Sequence, residues 1–68
     1  MKNRTINTTV MEVLSFDKNG DLHLRAFGKV HKQLREIYHH FRVTPFEENL
    51  KALQPGVRVM VKIETIED

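Results

Sequence analysis

The chain contains no cysteine, only three glycines and two prolines, and no apolar run long enough to cross a bilayer. The first absence excludes a disulfide scaffold and any thiolate-based zinc or iron–sulfur site. The second makes each Gly and Pro a marker of where the backbone turns. The third excludes a spanning helix, which needs about 20 apolar residues. No charged start leads into an apolar stretch and a small-residue cleavage site, so a cytoplasmic protein is expected. Sixty-eight residues allow one domain, 1–68, with residues 1–4 expected as a frayed arm. They are also too few to wall a substrate pocket of ordinary size. For so short a chain, apolar burial and conformational entropy come out near balance. A second copy or a partner is therefore expected to supply the missing burial.

What is present is unevenly charged. Met1–Asp21 sums to zero, whereas Leu22–Phe46 carries Arg25, Lys29, Lys32, Arg35 and Arg42 against Glu36 alone. That middle stretch also holds all four histidines, and the remainder from Glu47 is mildly acidic. No repeat, linker or low-complexity tract divides the chain.

Residues from about Thr5 to Phe16 are dense in β-branched side chains and read as a strand. Two apolar neighbours, Val10-Met11 and Val13-Leu14, disturb its alternation, which predicts a bulge near Val10–Glu12 or burial on both faces. Asp17-Lys18-Asn19-Gly20 is a hairpin signal, since Asn and Gly tolerate positive φ. The return strand, Asp21–Phe27, sets Leu22, Leu24 and Ala26 on one face and His23, Arg25 and Phe27 on the other. Gly28 then reads as a breaker.

From there Val30, Leu34, Ile37, Tyr38 and Phe41 recur at helical spacing, which predicts a helix ending near Phe41–Val43. On it, Lys32, Arg35 and His39 lie opposite the apolar stripe, flanked by Arg42. Thr44, Pro45 and Glu47 form a capping box, predicting a second helix through Leu53. Gln54-Pro55-Gly56 turns the chain into a strand over Val57–Ile66, expected to pair with the first. The fold class that follows is α+β: a two-layer sandwich of ββααβ order, with a three-stranded, mainly antiparallel sheet and both helices on one face. The βααβ portion resembles the RNA-binding KH domain in element order, but Phe41-Arg42-Val43-Thr44-Pro45 holds no Gly-x-x-Gly loop. No site is carried over.

Catalysis finds no constellation: His39 and His40 stand 100° apart on a helix, unlike an i, i+4 metal pair. No catalytic, cofactor-binding or metal-binding residue is assigned, no cofactor is expected, and the protein is read as non-enzymatic. Two surfaces can bind. The sheet face left bare by the helices would carry Phe27, Met60, Ile66 and Arg25, a set suited to a protein interface. Cations and an aromatic interleaved there (His23, Arg25, Phe27, Arg58, Lys62) equally suit nucleic acid. The basic helix face (Lys32, Arg35, His39, Arg42) is a second nucleic-acid candidate. The leading expectation is a small regulatory module that acts through protein contact, as a homodimer or on a larger partner. Its size suits a phage or mobile-element accessory protein docking on a host complex.

Overall fold

The computed structural model describes residues 2–67. Four strands and one helix follow one another as β1 (Lys2–Phe16), β2 (Asp21–Val30), β3 (Gln33–Arg42), α1 (Glu47–Ala52) and β4 (Arg58–Glu67). All pairings are antiparallel and the strand order is β3-β2-β1-β4. Three consecutive hairpin-linked strands with a fourth returning beside the first make a Greek key.

The first hairpin turns where the sequence indicates. Gly20 N–H donates to the Asp17 carbonyl at 3.1 Å. The Asp17 carboxylate accepts from the backbone N–H of Asn19 and Asp21 at 2.9 and 3.2 Å. Only Gly20 takes the left-handed conformation in this turn, at φ 88°. The expected pairing of the last strand with the first is present, running from Lys2 opposite Glu67 to Glu12 opposite Arg58. The bulges lie elsewhere than expected, at register shifts between Val13 and Ser15 against β2 and between Thr5 and Asn7 against β4. Asn3 and Arg4, expected in a frayed arm, stand opposite Ile66 and Thr65; Met1 lies outside the described residues.

The ββααβ sandwich is not what forms. The segment read as the first helix is strand β3, so the sheet has four strands, and the one helix is a six-residue turn with no buried side chain in the β3–β4 connection. Gly28 does not break β2; its missing side chain leaves room for Ile37, whose Cδ1 would stand 2.6 Å from a Cβ there. His31 and Lys32, at φ 52° and 66°, make a two-residue turn between Val30 and Gln33. Both residues are left-handed, the geometry that matches the twist of a tight hairpin. The ladder to β2 supplies the backbone hydrogen bonds a helix would have made internally. The second helix is shorter than expected, and Phe46 holds its N-cap position without a side-chain cap. The Thr44 capping box does not form; instead Asn49 Nδ2 donates to the Thr44 carbonyl at 2.6 Å. With no helix pair, the likeness to KH element order falls away as well.

The core is small and lies on one face of the sheet. Met11, Val13, Leu22, Leu24 and Ala26 are buried, with Phe16, Val43, Leu53, Val59 and Val61 packed against them. The connection from Val43 to Val57, which includes α1, is fastened by Val43 N–H to the Gly20 carbonyl and Val13 N–H to the Val57 carbonyl, both 2.8 Å. The rest of that face is an open apolar groove of about 380 Å³, whose lining includes Thr9, Ile37, His39, Phe41, Val61 and Ile63. The molecule measures 39 × 34 × 16 Å, with a radius of gyration of 13.9 Å. A close-packed chain of this length would have a radius near 11 Å.

Candidate functional site

Side chains alternate across a sheet, and residues directly opposite in antiparallel strands share a face. On the face away from α1, β2 contributes His23, Arg25 and Phe27. Across the ladders stand Glu12 beside Arg25, and Arg58, Met60 and Lys62 beside Glu12, Val10 and Thr8. From β3 come Glu36 opposite Phe27, Tyr38 opposite Arg25, His40 opposite His23 and Arg42 opposite Asp21. The six residues His23, Arg25, Phe27, Arg58, Met60 and Lys62, expected on one bare face, are thus together on it. Ile66 lies on the same face further along β4, opposite Asn3.

The basic line does not assemble. Lys32 is in the β2–β3 turn, Arg35 and His39 fall opposite Gly28 and Leu24 on the α1 side, and Arg42 is on the open face. A period of 3.6 collects these residues; a period of two separates them.

At the centre of the open face sits Arg25. It donates to Glu12 and reaches Glu36 at 3.5 Å, while its guanidinium lies 5.6 Å from the centre of the Phe27 ring. Glu12, through that hydrogen bond and its charge, raises the Arg25 pKa further above the ordinary guanidinium value. Tyr38 donates its hydroxyl to Glu36, and this hydrogen bond, followed by the carboxylate's charge, pushes the phenol above its ordinary 10.0. A shallow hollow of about 290 Å³ lies over Arg25, bordered by Val10, Glu12, Phe27 and Arg58. Around it Val10, Phe27, Tyr38 and Met60 are 58, 61, 63 and 69 % exposed.

Toward the first turn, His23 and His40 stack with centroids 4.7 Å apart and planes 12° from parallel. Asp21 receives His40 Nε2 at 3.0 Å and Arg42 Nε at 3.3 Å. On β4, Lys62 pairs with Glu64 at 2.7 Å. Arg25, Arg42 and Lys62 of this face therefore each have a carboxylate against them, whereas Arg58 has none among the described residues. Among the described residues no three His, Asp or Glu side chains are placed to hold a metal ion, and no helix is long and apolar enough to cross a membrane.

Val10, Glu12, Asp21, Glu36, Tyr38 and His40 are members of this surface that sequence reasoning missed. The alternation Val10, Glu12 against Met11, Val13 contains the signal for β1. Comparison with family models, with curated proteins and with solved structures found no match.

Proposed function

We propose that this protein is a non-catalytic binding module that docks a larger protein on the open face of its sheet. The observation that carries this reading is the group of exposed apolar side chains, Val10, Phe27, Tyr38 and Met60, around an arginine already neutralised by Glu12 and Glu36. Apolar and aromatic side chains about a paired arginine are what the centre of a protein interface requires. The hollow is shallow and open, and no base stands beside a nucleophile in it, so it favours contact over turnover.

A second reading, nucleic acid on the same face, is favoured by its rings: Phe27, Tyr38 and the His23–His40 stack offer platforms for bases. The ion pairs argue against it. Phosphates attract cations that are free to release their counterions, and Arg25, Arg42 and Lys62 each face a carboxylate of their own chain.

The test compares wild type with Phe27→Asp, both checked for folding by circular dichroism. Cross-linking in cell lysate is expected to capture discrete proteins with wild type and to lose them with the variant. Gel filtration with light scattering, after adding mixed short single- and double-stranded oligonucleotides, is expected to show no shift. An oligonucleotide complex that weakens with salt, at a log–log slope of about −0.7 to −0.9 per phosphate, and that Arg58→Glu abolishes, would overturn the reading.

A further inference from the structure

Strand β4 pairs with β1 on one side and with nothing on the other among the described residues. Such an edge leaves alternate backbone N–H and C=O groups open to another strand, and proteins usually guard it with Pro, a bulge or inward charge. β4 has neither Pro nor a bulge, and its central charges, Lys62 and Glu64, offset each other at 2.7 Å. Its ten residues, RVMVKIETIE, contain neither Pro nor Gly. The irregularity opposite them lies in β1, where Ile6 is the extra residue. Met60, Ile63 and Ile66 are all more than half exposed.

The order of side chains along this edge is self-complementary. Set two copies of β4 antiparallel about a twofold axis at Ile63. Lys62 then stands opposite the partner's Glu64, Met60 opposite the partner's Ile66, and Ile63 opposite the partner's Ile63. By symmetry each unlike pair occurs twice. An axis at Lys62 or at Glu64 sets like charges face to face. An axis at Val61 leaves Lys62 against the partner's Met60. Only the Ile63 register gives every charged residue from Met60 to Ile66 an opposite charge, as the self-matching patch of a twofold interface requires.

The exposed area of the chain also calls for a second copy. Its accessible surface is 5771 Å², against about 4,500 Å² for a compact monomer of 8.0 kDa. The excess exceeds the roughly 800 Å² per partner of a standard interface. We propose that β4 is a dimerisation strand, joining two copies of this chain antiparallel about Ile63 into one eight-stranded sheet. The two apolar grooves then meet at the axis, because Ile63 lines each of them. Of the open-face group only Met60 lies on β4, and Val10, Arg25, Phe27 and Tyr38 stay clear of the seam in both copies, so this inference does not rest on the docking reading above.

The absence of cysteine makes a single introduced thiol an unambiguous reporter. Ile63→Cys is expected to give a disulfide-linked dimer on mild oxidation, since directly opposed residues fall within disulfide reach. Val61→Cys is expected to stay unlinked, because two copies of position 61 would lie about 13 Å apart. Light scattering during gel filtration then reads the charges. Lys62→Glu alone and Glu64→Lys alone are each expected to weaken the dimer about tenfold, and the two together to restore it. Phe27→Asp is expected to leave the dimer unchanged, which separates this interface from the open face. Circular dichroism confirms that each variant is folded. A wild type that is monomeric at millimolar concentration overturns the proposal. Linking through Val61→Cys, or a double variant no better than the single ones, also overturns it.

Discussion

Val43 donates its N–H to the Gly20 carbonyl at 2.8 Å, and its own carbonyl lies 2.5 Å from where a Gly20 Cβ would be. The first hairpin turn is thereby locked to the start of the connection that covers the core. A side chain at position 20 meets both a left-handed φ of 88° and that carbonyl. Gly20→Ala is expected to cost about 2 kcal/mol or more in urea denaturation. Gly56→Ala has the same handedness, φ 92°, but open space around it, and is expected to cost only about 1 kcal/mol.

The turn at His31 and Lys32 asks left-handed geometry of two non-glycine residues, and Lys32 is the one that tolerates it poorly. Replacing them with Asn and Gly is expected to raise stability by about 1 kcal/mol, read as a higher urea midpoint. In a helix the same change would lower stability by about that amount, through the glycine. The sign of the effect therefore decides between strand and helix.

Leu24 and Leu34 should separate sharply. Leu24 is 1 % exposed in the core, and Leu34 is 70 % exposed on the edge strand. Leu24→Ala is expected to cost about 2–5 kcal/mol, against a total of roughly 3–10 kcal/mol for a chain this long. Loss of a cooperative thermal transition would follow. Leu34→Ala is expected to move stability by less than about 0.5 kcal/mol.

Tyr38 is the sole tyrosine, so absorbance of the phenolate reports it alone. Its hydrogen bond to Glu36 predicts a midpoint above 10.0, returning toward that value in Glu36→Gln. Because the folded-state value is raised, the bond's contribution to stability is present below the unfolded value. It disappears as pH rises through the higher folded one. An unshifted midpoint in wild type would show that Tyr38 and Glu36 are not hydrogen-bonded in solution.

Much of the sheet was legible because local chemistry and tertiary placement agree there. Asn19-Gly20 marks a turn that is a turn, and Val59, Val61 and Ile63 alternate with Arg58, Met60 and Lys62 on a strand that is half covered. β3 was not legible. Its turn lacks Gly or Asn, and both of its faces stay largely exposed, so no period-two burial pattern is written into it. Ile37 and Phe41 serve one face while Leu34 and Tyr38 serve the other, and together they mimic a helical stripe. The open-face residues of β2 and β4 were readable from alternation alone. Those of β3 required knowing that it is a strand.

The pairing of β1 with β4 also sets an order in time. The two hairpins that build β1, β2 and β3 close over short loops and can form within microseconds. β4 must return across the length of the chain to reach β1, where Lys2 stands opposite Glu67. Loop closure over that span costs entropy before any contact repays it. Substitutions in β4 are therefore expected to give lower φ-values than those in the β1–β2 hairpin, as contacts that form late in folding do.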